Sequence, residues 1–167
     1  PDTAAVIHLL QHLRKPIYIV SAGLHPAIVP LAELLHIPEQ HIFAVKITFD
    51  ETGAAGFHEQ DSPLINNDGK KIIVAKLMEK HPRVGYIGDG LNDVVVRDQV
   101  TRFIGYGGIY YRKNIEALCE FYIKTPSMTA ILPLLLTQTE WGSLDAEGQA
   151  LYQKGSTDLA NGKSTDS

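Results

Sequence analysis

Two short stretches hold residue types that suit phosphate and metal chemistry. Gly88-Asp89-Gly90-Leu91-Asn92-Asp93 places two carboxylates and an amide on one tight loop, directly after an apolar run over residues 84–87. Hard oxygen donors at that spacing suit Mg²⁺, which keeps several waters and takes one or two carboxylates with a phosphate oxygen. The competing reading is a turn rich in turn-forming residues. A buried-type strand feeding straight into two acids argues against it. The second stretch is Ile19-Val20-Ser21-Ala22-Gly23. It offers a hydroxyl and backbone amides where a helix is about to begin, a place where N–H groups and the helix dipole favour an anion. Alone, Ser-Ala-Gly at such a turn reads first as a helix cap.

Other candidates are less specific. Lys70 and Lys71 open a helix after Gly69. Such lysines are usually solvated, yet a cation at a helix N-terminus is mildly unfavourable and a nearby anion would offset that. His8 and His12 sit four residues apart on one helix, but the wider ligand set that zinc needs is missing among the seven histidines. His25 reads as a surface residue beside the Ser21 stretch. Cys119 has no evident activating partner and reads as a small buried residue. As the single cysteine it forms no internal disulfide, which suits a reducing, cytoplasmic setting.

The elements that must position these groups alternate. Ala5, Val6, Leu9, Leu10 and Leu13 recur at helical spacing behind Asp2 or Thr3 as a cap, and Pro16 ends that helix. Residues 17–20 form a continuous β-prone run, the mark of a parallel strand buried on both faces. Residues 24–35 read as a helix with Ile28, Leu31, Leu34 and Leu35 inward. Further strands are expected at 42–47, 84–87, 102–104 and 121–123. A β-hairpin turns at Glu51-Thr52-Gly53. Helices are expected over 70–80, around 115–118 and over 128–136. Strands alternating with helices predict an α/β fold with a mostly parallel sheet, occupying residues 1–137. Residues 138–167 are rich in Gly, Ser, Thr, Asp and Lys and read as a polar tail, with one or two amphipathic turns near 144–152.

The 167 residues are 44% hydrophobic and 20% charged, with a mean hydropathy of −0.04, so a real core is expected and general disorder is excluded. The longest apolar run, residues 130–136, falls far short of the roughly 20 residues of a membrane span. A net charge of −4 without a basic run gives nucleic acid little electrostatic reason to bind.

Ser21-Ala22-Gly23 after an apolar strand, a lysine about fifty residues on, and Gly88-Asp89-Gly90-Leu91-Asn92-Asp93 resemble motifs two, three and four of the haloacid dehalogenase-like superfamily. The glycine-rich Ile104-Gly105-Tyr106-Gly107-Gly108 stretch followed by Arg112 resembles its phosphoserine phosphatase branch. The likeness spans Pro16 to about Leu136, including the hairpin from Phe49 to Phe57 and Asn66-Asn67-Asp68-Gly69-Lys70. The resemblance implies a Rossmann-like core, a Mg²⁺ cofactor and hydrolysis of a small phosphorylated metabolite such as O-phosphoserine. A homodimer is open to it. By the same resemblance, Ser21 and the amides of Ala22 and Gly23 would hold phosphoryl oxygens, and Lys70 would neutralise charge beside the phosphate. Asp89 would ligate the metal, while Asn92 and Asp93 would position phosphate and metal shell. Arg112 would lie near the substrate. Lys70 is preferred to Lys71 because Ile73, Val74 and Leu77 follow it at helical spacing. Ala22 replaces the usual glycine, and Leu24 the usual aromatic.

The reaction of this family begins with an aspartate nucleophile in an Asp-x-Asp-x-Thr motif, which the sequence does not contain. In the family fold that strand is central and is followed by a substrate-recognising cap. The chain is therefore expected to be the C-terminal part of such a phosphatase, carrying motifs two to four and inactive alone, with an N-terminal segment supplied in cis or in trans. Without that strand, the strands leading to Ser21 and to Gly88 would carry bare edges. Alternatives are a non-catalytic phosphate- or Mg²⁺-binding protein and a phosphatase or phosphotransferase for another metabolite. The phosphorylation domain of an ion pump shares the Gly-Asp-Gly loop, but the missing membrane span and the glycine-rich stretch argue against it.

Overall fold

The computed structural model describes residues 2–49, 52, 55–58 and 62–163. The chain forms two compact units, one of Pro16–Pro82 and one of Pro1–Lys15 with Arg83–Ser167. This division differs from the expected core over 1–137 followed by a tail.

In the unit of Pro16–Pro82, β1 (Ile19–Leu24) pairs in parallel with β2 (Ile42–Val45), and α2 (His25–Leu34) connects them. A parallel pair needs such a crossover because a short turn cannot return the chain to the same end of the sheet. β3 (Ile47–Phe49) and β4 (Ala55–His58) form the expected antiparallel hairpin. Of its turn, only Thr52 lies within the described residues. A short 3₁₀ turn at Pro63–Ile65 leads into α3 (Gly69–Lys80). Val45, Leu64, Ile73 and Leu77 make the core, with Tyr18, Val20 and Phe43 packed on it. Tyr18 donates or accepts a 2.8 Å hydrogen bond with His81 Nε2, which pins the strand entry to the end of α3.

α2 departs from expectation. Leu35 and Ala32 are buried, but Leu31 is 52% and Leu34 70% exposed. The inward stripe runs through Ala32, and the helix starts at His25 with Pro26 in its first turn and Pro30 inside it. Pro30 lacks the N–H that a regular helix would use.

In the other unit, β5 (Gly85–Gly88), β6 (Arg102–Tyr106) and β7 (Phe121–Ile123) form a parallel sheet in that order. α4 (Leu91–Val94) follows β5, and α5 (Lys113–Glu116) lies between β6 and β7. α1 (Thr3–His12) packs on a 3₁₀ segment, Met128–Ile131, which continues as α6 (Leu132–Leu135). Val6, Val96, Ile104, Ile115, Ile123 and Leu132 are fully buried here. Cys119 is half-buried, and its Sγ donates to the Ile115 carbonyl at 3.1 Å. Burial pushes its thiol pKa up.

The stretch expected as a polar tail is helical: α7 (Gln138–Gly142) and α8 (Ala146–Lys163). Glycine is a poor helix former, so the glycines of α8 disguise it in the sequence. Packing overrides that propensity. Leu144, Gly148 and Gly155 are buried at helical spacing, so glycine lines the inward stripe. A Cβ at Gly155 would stand 2.1 Å from the Thr129 carbonyl oxygen, so α8 approaches the 3₁₀ segment as closely as a bare backbone permits. Thr137 begins α7 with a capping box: its Oγ1 accepts from the Glu140 amide at 3.2 Å, and Glu140 Oε2 accepts from the Thr137 amide at 2.8 Å.

Asp2, expected as a helix cap, makes no such bond. Its Oδ2 instead accepts from Ser127 Oγ at 3.0 Å and from Lys154 Nζ at 2.9 Å. Lys154 also donates to Asp158 Oδ2 at 2.9 Å and to Ser127 Oγ at 2.7 Å. The lysine thereby ties the start of α1 and the Ser127 turn to α8. Hydrogen bonds from Lys154 hold the carboxyls of Asp2 and Asp158 below their ordinary range, and those carboxylates raise Lys154 in turn.

Two outcomes follow. Gly155→Ala forces α8 away from Thr129 and lowers stability by about 1–3 kcal/mol in chemical denaturation, as overpacking does. The depressed carboxylates contribute stability that is full above the unfolded carboxyl pKa of about 4 and lost as pH falls through the folded values. The melting temperature of the native chain therefore falls more steeply under acid than that of Lys154→Met, and the two curves converge at low pH.

Candidate active site

Within the Arg83–Ser167 unit, the site is built at the carboxyl end of β5, where parallel sheets present their ligands. Gly88 ends β5, Asp89 and Gly90 turn, and Leu91–Val94 form the single turn of α4. Asp93 folds back over this turn. Its Oδ2 accepts from the amides of Asp89 at 3.2 Å and Gly90 at 3.1 Å, and its Oδ1 accepts from the Tyr86 hydroxyl at 2.7 Å. Gly88 is needed for this arrangement, because a Cβ there would lie 2.3 Å from the Asp93 Cβ. Asp93 is only 5% exposed.

Asp89 points the other way. Its side chain is 62% exposed, and Asn92 on α4 is exposed as well. Arg112 reaches the same loop from the segment before α5. Its Nη1 donates to the Asp89 carbonyl at 3.0 Å, and its Nη2 lies 3.6 Å from Asp89 Oδ2. The Arg112 amide donates to the Tyr122 hydroxyl at 3.0 Å, which fixes where this residue leaves the backbone. Asp89, Asp93 and Arg112 are thus brought together around Gly90.

Ser21, Ala22, Gly23 and Lys70 belong to the Pro16–Pro82 unit. The expected strand-to-helix turn at Ser21-Ala22-Gly23 is a bulged strand. Val20 faces Phe43 and Leu24 faces Val45, so three residues of β1 stand opposite Ala44 alone. A bulge of this kind turns backbone and side chains out of the ladder. Ala22 and Gly23 are exposed and Ser21 half-buried. Ser21 Oγ accepts from the Gly23 amide at 3.0 Å. The helix starts two residues later, at His25, so Ala22 and Gly23 are not in its first turn. His25, expected at the surface, has a side chain only 13% exposed, with Nε2 4.0 Å from Glu39 Oε1. Lys70 is half-buried on the first turn of α3 and Lys71 is exposed, while Ile73, Val74 and Leu77 are buried as their spacing predicts.

Among the described residues, no group of three or more His, Cys, Asp or Glu side chains is placed to hold a metal ion. Asp89 is the carboxylate with open oxygen; those of Asp93 already accept three hydrogen bonds. Also among the described residues, no helix is long and apolar enough to cross a membrane.

Sequence reading missed Tyr86. Burial first, then the charge and hydrogen bond of Asp93, push its phenol pKa far upward, so the hydroxyl keeps its proton and donates. Strand alternation held the signal, since Tyr86 lies two residues before Gly88 and shares its face of β5.

No family model matches the chain. In sequence the chain is similar to phosphoserine phosphatases. It is 26% identical over 125 residues to that of Bos taurus, covering 74% of this chain and 56% of the relative. The Mus musculus enzyme is 29% identical over 126 residues, with the same coverage. In fold it is similar to a phosphoserine phosphohydrolase-like protein from Francisella tularensis, with a TM-score of 0.70, 24% identity, and coverage of 81% of this chain and 62% of that one. The chain spans about half the length of the curated relatives it matches, and over that span it has the α/β fold of phosphoserine phosphatase-like proteins and a phosphatase-like sequence.

Proposed function

We propose that the chain carries the phosphate- and metal-handling part of a phosphomonoester hydrolase that converts O-phosphoserine and water to serine and phosphate. The observation that carries this reading is the Gly88–Asp93 loop: one carboxylate is buried to set the loop, and one is left exposed at the carboxyl end of a parallel strand. The sequence similarity to phosphoserine phosphatases supports the substrate class.

The donor set fits Mg²⁺, a hard ion that needs few protein carboxylates. Asp89 would hold it directly, and Asp93 would act through the loop that it fastens. When bound, the ion supplies positive charge against the phosphoryl oxygens. Ser21 and the amides around the β1 bulge would bind phosphoryl oxygens, Lys70 would neutralise charge beside them, and Asn92 would orient the phosphate. Arg112 would hold the Asp89 loop against the substrate side. The nucleophile is an aspartate of an Asp-x-Asp-x-Thr segment outside the sequence of residues 1–167. Its carboxylate would attack phosphorus as the serine oxygen leaves with a proton from the second aspartate of that segment, and the same aspartate would then take a proton from the water that cleaves the aspartyl-phosphate to free phosphate.

The test is phosphate release from O-phosphoserine with Mg²⁺, comparing residues 1–167 alone with the same residues joined to such a segment from a phosphoserine phosphatase. Turnover is expected only in the joined protein. Mg²⁺ or phosphate binding without turnover in either form would instead establish a non-catalytic binding protein. In the joined protein, Lys70→Met is expected to lower kcat by about 10²–10³-fold, the size seen when one charge-stabilising donor is removed. Lys71→Met should stay within a few-fold, and steady-state kinetics separates the two.

A further inference from the structure

We propose that Tyr86 is a positioning residue of the candidate site, fastening Asp93 so that the Gly88–Asp93 loop is set before any ligand arrives. Its consequence for turnover rests on the phosphatase reading above; its action on the loop does not. Tyr86 and Gly88 share one face of β5. Gly88 supplies the space into which the Asp93 side chain packs, since a Cβ there would fall 2.4 Å from the carboxyl carbon. Tyr86 supplies the donor for the oxygen that the loop amides leave over, at 2.7 Å. With the Asp89 and Gly90 amides on the other oxygen, the carboxylate is held from both sides. Its two acceptors thus tie strand to loop.

The tyrosine is itself held. Tyr86 faces Phe103 across the β5–β6 ladder, and their rings stack with centroids 5.9 Å apart and planes inclined by 14°. Phe103 is buried and its neighbour Ile104 fully so, so the platform under the ring belongs to the sheet core. A phenol in this place transmits the rigidity of the sheet to Asp93 through one charge-assisted hydrogen bond, a stronger bond than one between neutral groups. A phenylalanine would fill the same space and transmit none of it.

The experiment is NMR on residues 1–167, reading amide exchange at Asp89, Gly90 and Ile104 and the side-chain carboxyl carbon of Asp93. Tyr86→Phe is expected to speed exchange at Asp89 and Gly90 roughly tenfold, the scale of losing one hydrogen bond to a charged group. It should also shift the Asp93 carboxyl resonance and leave Ile104 unchanged. In an Asp93→Asn background, Tyr86→Phe should add less than twofold at either amide. Phe103→Leu keeps the hydroxyl and should move the Asp93 resonance less than Tyr86→Phe does. The proposal is overturned if Tyr86→Phe leaves both amides within twofold of the native chain. Equal acceleration at Ile104, which makes Tyr86 a stability residue of the sheet, also overturns it. So does an equal shift in Phe103→Leu, which assigns the effect to ring packing. None of these readouts needs turnover, so the clamp and the phosphatase reading fail or stand separately.

Discussion

A carboxylate almost wholly removed from water must find donors for its oxygens, because an unmatched buried charge is far more costly than a strained turn. Asp93 imposes that demand on its surroundings. The turn between β5 and α4 has to bring two amides to Oδ2, so the chain passes through Asp89 and Gly90 with their N–H groups inward. The strand beneath has to leave room, so position 88 has no side chain. The remaining oxygen needs a donor from the sheet, which Tyr86 provides. Asp89 is then left at the crest of the turn, exposed, with Arg112 against it. One buried acid therefore decides where the exposed acid stands.

The same unit uses close approach and charge at its far end. α8 carries glycine where a helix would normally carry leucine, and the gain is contact between backbones rather than between side chains. Lys154 supplies the specificity that a glycine stripe lacks. It is bonded to Asp2 and Ser127, which lie outside α8, and to Asp158 one turn further along the same helix, so two polar partners set the register of α8 and a third holds the lysine in place. Exposed single ion pairs contribute little, but a lysine shared by two carboxylates and a buried hydroxyl holds one geometry. The depressed carboxyls of Asp2 and Asp158 reflect that sharing.

Much of the fold was legible because parallel-sheet proteins write their strands as apolar runs and their helices as periodic ones. α3 with Ile73, Val74 and Leu77 buried, and β7 at Phe121–Ile123, sit where the pattern puts them. The Gly88–Asp93 loop was legible for a different reason, since its residue types have few other uses together after a strand. Three features were hidden. α8 was hidden by glycines whose local propensity opposes the helix that tertiary contact creates. The β1 bulge was hidden because Ser-Ala-Gly is compatible with a turn, and only the register against β2 distinguishes the two. Tyr86 was hidden because an aromatic in a strand reads as core, and its hydroxyl matters only once Asp93 is known to fold back.

The strands leading into the two motifs also carry a contrast. The runs before Ser21 and Gly88 read as strands covered on both faces, the ordinary condition of parallel sheets. β1 and β5 are nevertheless half-buried to exposed along their lengths, whereas β2 and β6 are mostly buried. Each of the two exposed strands has one hydrogen-bonded neighbour among the described residues, β2 for β1 and β6 for β5. An apolar parallel strand with one side of its backbone unmatched is a template for another strand. A further segment along such an edge would match those backbone groups.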